Sequence, residues 1–119
     1  MKVTRVEDIM RSPIYSIEDT RKASEALDKM RGLRVKKILV VTRDGSPKGV
    51  LEEWRIMKDD LDRQISELEL SDPAYVPAGT LLSDIQSDLR DKPAVYVHDP
   101  GDRRRLLGIV TAYDLAAQY

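Results

Sequence analysis

Thr111 and Asp114 stand three residues apart in the stretch Gly-Ile-Val-Thr-Ala-Tyr-Asp-Leu at 108–115, where an apolar run gives way to a helical pattern. An ionised carboxylate offers two acceptor oxygens, enough to receive both hydroxyls of a ribose at once. A threonine hydroxyl and the free N–H groups of a helix start can hold a phosphate beside it, helped by the positive end of the helix dipole. The same spacing also makes a variant of the capping box, in which the two side chains merely satisfy backbone donors. Spacing leaves both readings open. At the matching place earlier in the chain, Gly-Val-Leu-Glu-Glu-Trp-Arg-Ile at 49–56, Glu52 and Arg55 replace the pair. Arginine accepts no hydroxyl proton and a glutamate at a helix start repels phosphate. This place therefore predicts a surface ion pair at i, i+3, worth about 0.2–0.5 kcal/mol.

The remaining polar candidates carry less. His98, beside Asp99 at an expected turn, is predicted to be a solvated loop histidine rather than a pH sensor. Arg103, Arg104 and Arg105 fall in an expected hairpin; they can grip phosphates or an acidic partner, or simply be solvated. No aromatic stacking platform accompanies them, so nucleic-acid binding has no support. Lys36 and Lys37 flank a strand and can protect its edge. Thr111 has no recognisable base beside it, so nothing points to a nucleophile or an enzyme.

Composition agrees. The chain has 119 residues, 41% hydrophobic and 34% charged, with 20 basic and 21 acidic side chains and a net charge of -1. That is the profile of a soluble globular domain, and it removes the simplest argument for a polyanion partner. With no cysteine and a single histidine, disulfides, thiolate chemistry and a multi-histidine metal site within one chain are excluded. The N-terminus carries no apolar leader and no long apolar run follows, so a cytoplasmic protein without membrane association is expected.

The elements that must position these residues are written twice. Tyr15 and Thr20 match Tyr75 and Thr80, and the two Gly-initiated motifs at 49–56 and 108–115 align in the same order. Ala23, Ala26, Leu27 and Met30 recur at helical spacing, as do Leu81, Leu82, Ile85 and Leu89; Thr20 and Thr80 are the expected N-caps. The β-branched runs Ile38–Val41 and Ala94–Val97 predict strands, and Asp44-Gly45 and Asp99-Pro100-Gly101 predict the turns to Gly49–Leu51 and Leu106–Val110. Trp54, Met57, Leu61, Ile65 and Leu68 predict one amphipathic helix over 53–70, with Trp54 packed towards the sheet. Two turns of helix are expected after Val110. Each unit thus reads strand, helix, two strands, helix.

These motifs in this order, with Val6-Glu7-Asp8-Ile9-Met10 at the entry and Val40-Val41 before Asp44-Gly45, resemble the cystathionine-β-synthase (CBS) domain family. The resemblance covers nearly the whole chain as a tandem pair. It implies an α+β fold of two β-α-β-β-α repeats packed sheet to sheet with pseudo-twofold symmetry: residues 1–60 as the first repeat, 61–71 as the end of a bridging helix and linker, 72–119 as the second. It implies a sensor or regulatory module, not an enzyme, that binds an adenosine-containing ligand in a cleft between the repeats and often forms homodimers. AMP, ADP or ATP is the expected ligand and S-adenosylmethionine an alternative; the regulated protein partner is not specified. By the family's pattern the site comprises Thr111 and Asp114, an adenine slot from Ile109, Ile14 and Val35, and Lys36 near the phosphates. Because the first repeat departs from the pattern at Glu52 and Arg55, one site per chain is expected. The competing expectation is a ligand-free oligomerisation or docking module, whose mark would be a large apolar face left exposed.

Overall fold

The computed structural model describes residues 3–117. In chain order its elements are α1 (Val6–Ile9), β1 (Ser16–Glu18), α2 (Ala23–Leu33), β2 (Lys37–Val41), β3 (Pro47–Glu52), β4 (Ala74–Pro77), α3 (Gln86–Asp91), β5 (Val95–Asp99), β6 (Asp102–Val110) and α4 (Ala112–Ala116), with short 3-10 turns between some of them. Two compact units share them. One is Tyr15–Asp72; the other joins the chain up to Ile14 to the segment from Pro73 onward. The entry segment, grouped with the first repeat on sequence order, thus belongs spatially to the second.

In the unit Tyr15–Asp72, β1 runs parallel to β2 and β2 antiparallel to β3, in the order β1-β2-β3. A parallel neighbour needs a crossover, and α2 supplies it. Its face Ala23, Ala26 and Met30 is fully buried, with Leu27 half-buried at its margin. Ile17, Ile38, Val40, Leu51 and Ile65 complete that core. Leu39 and Val50, partners across the ladder, are buried on the opposite face of the same sheet. Gly45 takes a φ of 87° in the turn, a left-handed conformation that costs glycine little.

The second unit repeats the plan with β4-β5-β6, again parallel then antiparallel. Val6 of α1 joins Leu82, Ile85, Leu89, Val95, Val97 and Val110 in its core. Val6 N–H donates to Thr80 O at 2.9 Å and Leu82 N–H to Thr4 O at 3.0 Å, tying the entry segment down. Tyr96 lies on the other face of β5, buried and stacked on Tyr75 of β4 with ring centroids 5.9 Å apart. Burial pushes the Tyr96 phenol well above its usual range, and the nearby Tyr75 adds to the shift.

Several sequence expectations need correction. Residues 53–70 are not one helix but three 3-10 turns, Glu53–Arg55, Lys58–Asp60 and Ile65–Glu67. Backbone groups of this stretch are engaged elsewhere: Arg63 O accepts from Ala23 N–H, Leu61 O accepts from Ser24 N–H, and Ile65 N–H donates to Arg21 O. Asp60 and Glu67 accept the N–H groups of Met57 and Gln64 at 2.9 Å, each restarting a turn. Of the expected apolar stripe Ile65 is fully buried, whereas Trp54 is 65% exposed and does not pack on the sheet. The helix of the second unit is likewise split, a 3-10 turn at Leu82–Ile85 preceding α3. Neither threonine caps as expected: Lys22 is the N-cap of α2, and Thr80 Oγ1 donates to Pro77 O. His98 is buried within β5, not solvated in a loop. The last part of the expected C-terminal helix, Gln118 and Tyr119, lies outside the described residues.

Candidate functional site

β6 delivers the chain to Thr111, which is extended (φ -122°, ψ 170°) and is the N-cap of α4. Asp114 turns back onto it. Thr111 N–H donates to Asp114 Oδ2 at 2.8 Å and the Thr111 hydroxyl donates to the same oxygen at 3.2 Å. The backbone-to-carboxylate half of the capping geometry is therefore made, and it holds a carboxylate whose side chain is 7% exposed. The other oxygen, Oδ1, faces Arg11 Nε at 2.9 Å. Burial of a charge requires such partners, and here two donors and one cation supply them.

Arg11 is the residue that sequence reasoning missed. It reaches the site because the entry segment pairs with the end of β6. Arg11 N–H donates to Ile109 O at 2.9 Å, and Ile109 N–H donates to Arg11 O at 3.0 Å. Gly108 makes the close approach possible: a Cβ there would lie 2.6 Å from Met10 Sδ and 2.9 Å from Met10 Cβ. The one available signal was Arg11's position directly after the entry motif, which says nothing about what its side chain meets.

Of the other expected site residues, Ile109 and Ile14 belong to this unit and are half-buried. Ile109 pairs with Tyr96 across the ladder. Val35 and Lys36 belong to the other unit. There Val35 packs against the core and Lys36 is exposed, its carbonyl accepting Glu53 N–H at 2.9 Å. Arg103, Arg104 and Arg105 lie exposed along β6, with Arg105 3.8 Å from Asp99. His98 Nδ1 sits 2.8 Å from Asp99 O.

The equivalent place in the first unit is built differently. Glu52 and Arg55 form an i, i+3 pair at 3.8 Å, but half-buried, not on the surface as expected. Arg55 is also 3.4 Å from Glu69 and stacks over the Trp54 ring at 4.7 Å, while Ser71 Oγ donates to Glu52 at 2.8 Å. The cation is thus held from three sides, and the carboxylate is already used.

The family model for the CBS domain matches residues 6–62. The structure is similar to the CBS domain pair of protein MJ0100, solved in complex with 5′-methylthioadenosine and S-adenosyl-L-methionine; TM-score 0.82, 21% identity, covering 98% of this chain and 96% of that one. Residues 6–62 thus carry a CBS domain, and the whole chain has the fold of a CBS domain pair. As a CBS pair it also superposes on Staphylococcus aureus OpuCA with a TM-score of 0.71 at 23% identity, over 93% of this chain and 95% of that chain. In sequence the pair is 33% identical over 118 residues to the choline transport ATP-binding protein OpuBA of Bacillus subtilis (strain 168). That match takes 95% of this chain but 30% of the relative, so the CBS pair spans under a third of that protein's length. CBS pairs are in general regulatory modules rather than catalysts. Among the described residues no helix is long and apolar enough to cross a membrane.

Proposed function

We propose that this CBS pair is a sensor module that binds one adenosine-containing ligand, AMP, ADP or ATP, in the unit that carries Thr111 and Asp114. Ile109 and Ile14 would offer apolar contact to the base. The observation that carries the reading is the buried Asp114 carboxylate at the end of β6, a ribose acceptor that the first unit replaces with the Glu52–Arg55 pair. The solved complex of the MJ0100 pair with two adenosine derivatives supports the ligand class. The likeness to a choline transport ATP-binding protein supports, as the regulated partner, an ATP-binding transport protein. Occupancy acts on that partner if the ligand-bound and ligand-free arrangements differ in affinity for it.

Thermal unfolding with AMP, ADP, ATP, S-adenosylmethionine and 5′-methylthioadenosine tests the reading. A ligand at about 100 times its dissociation constant adds roughly 2.7 kcal/mol, a rise of several degrees for a domain this size. The rise is expected in the wild type and lost in Asp114→Ala, each protein being compared with itself without ligand. A shift with S-adenosylmethionine and none with the phosphorylated ligands would move the reading to that cofactor. No shift with any of the five, in a folded protein, sinks it.

A second reading, an oligomerisation or docking module, has its own support. Trp54, Met57 and Tyr113 are 65%, 62% and 76% exposed. Trp54 and Tyr113 hold equivalent places in the two repeats, so each repeat leaves a large aromatic in solvent. Exposed aromatics of this kind are enriched where proteins bind one another. A homodimer is the simplest partner, and light scattering across a concentration series reads it.

A further inference from the structure

We propose that Arg11 is a built-in competitor for the ligand: its guanidinium closes the Asp114 carboxylate, and a ribose binds by displacing it. The inference rests on the adenosine reading above and adds the group that sets its affinity.

Asp114 Oδ2 is taken by two donors of Thr111, which belong to the helix cap and stay with it. Oδ1 is the oxygen left for anything else, and Arg11 Nε lies 2.9 Å from it. A ribose that binds this carboxylate must therefore place its hydroxyls on Oδ1, whose two lone pairs include the direction that the guanidinium holds. Arg11 and an incoming hydroxyl are donors for the same lone pairs.

The competitor is built to leave. Its side chain is 58% exposed while that of Asp114 is 7% exposed, so the cation already has water to turn into and the anion does not. Its backbone is fixed by both hydrogen bonds to Ile109, and Ser12 Oγ next to it donates to Leu107 O at 2.7 Å. Exchange is therefore a rotation about the Arg11 side-chain torsions with the strand ladder intact. The first unit shows the contrast: Arg55 is only 27% exposed, between Glu52, Glu69 and the Trp54 ring. Closure by Arg11 keeps a buried charge paired when no ligand is bound, and it lowers apparent affinity by the fraction of molecules in which the pair is open.

The test is titration calorimetry of the full chain with 5′-methylthioadenosine, a probe without phosphate, so that loss of the Arg11 charge changes only the competition for Asp114. Arg11→Ala and Arg11→Gln are both expected to tighten binding by up to about fivefold, the range for a partly exposed ion pair. The glutamine variant keeps the length of the side chain should alanine disturb the fold, and thermal unfolding without ligand checks both. Binding by the variants where the wild type shows none would support the proposal equally. Equal or weaker binding in both folded variants, with the wild type binding, overturns the competitor role and leaves the adenosine reading standing. No binding of either this probe or AMP by any of the three folded proteins overturns both.

Discussion

Asp114→Ala is the perturbation whose cost can be worked most directly from the structure. It removes the acceptor for Thr111 N–H, a backbone donor in a buried residue, which costs about 1–3 kcal/mol when left unpaired. This is the same contact as the helix cap, whose loss runs at about 0.5–2 kcal/mol, so the two figures describe one interaction and do not add. The Arg11 pair adds less. With Arg11 58% exposed, solvent screening holds its contribution to about 0.2–1 kcal/mol. The variant should therefore lose roughly 1–4 kcal/mol, which lowers the unfolding midpoint by about 4–16 °C. Circular dichroism melts and urea unfolding both report it. Asp114→Asn retains an oxygen for Thr111 N–H and should lose less than half as much. Arg11→Ala, which touches only the exposed side of the pair, should cost under about 1 kcal/mol. The reasoning is refuted if Asp114→Ala melts within a degree of the wild type, or if Arg11→Ala proves as damaging as Asp114→Ala.

Two further outcomes are expected. Gly108→Ala places a Cβ 2.6–2.9 Å from Met10 atoms that include its own Cβ, so it should destabilise by about 1–3 kcal/mol, and Met10→Ala in the same chain should recover part of the loss in urea unfolding. Tyr96 governs the alkaline limit. Because its proton is held more tightly in the folded chain than in the unfolded one, its contribution is complete below about pH 10 and is lost as pH rises above that value. Melts between pH 8 and 11 should show a falling midpoint that flattens in Tyr96→Phe; an unchanged slope would remove Tyr96 as the cause.

Local signals in the sequence were reliable where an element had to be buried. The unbroken apolar run Ile38–Val41 and the spacing of Ala23, Ala26 and Met30 need no distant partner to be recognised, because a strand buried on both faces is apolar throughout and a helix buried on one face repeats with period 3.6. The repeat was legible for the same reason, and both sheets do share one order of parallel and antiparallel strands. Periodicity failed at 53–70. Trp54, Met57 and Leu61 have helical spacing, but spacing does not reveal that residues 19–24 claim the backbone groups an α-helix would use for itself. His98 was misplaced by its neighbours: Asp99-Pro100-Gly101 signals a turn, while the ladder to β6 extends β5 through Asp99 and buries the ring.

The site divides along the same line. Thr111 and Asp114 were legible from the sequence alone, because a residue at the end of a strand and one three further on must face each other at a helix start, whatever the rest of the chain does. The Glu52–Arg55 substitution was legible too, as a difference between two copies of one motif, and its pair formed, half-buried and not on the surface. What only the tertiary structure decided is the company Asp114 keeps. Arg11 and Asp114 stand near opposite ends of the chain, and they meet because Arg11 exchanges two backbone hydrogen bonds with Ile109 and because Gly108 has no side chain to hold Met10 away. Backbone pairing of that kind depends on register, and register is set by the packing of the whole unit and not by the residues that end up in contact.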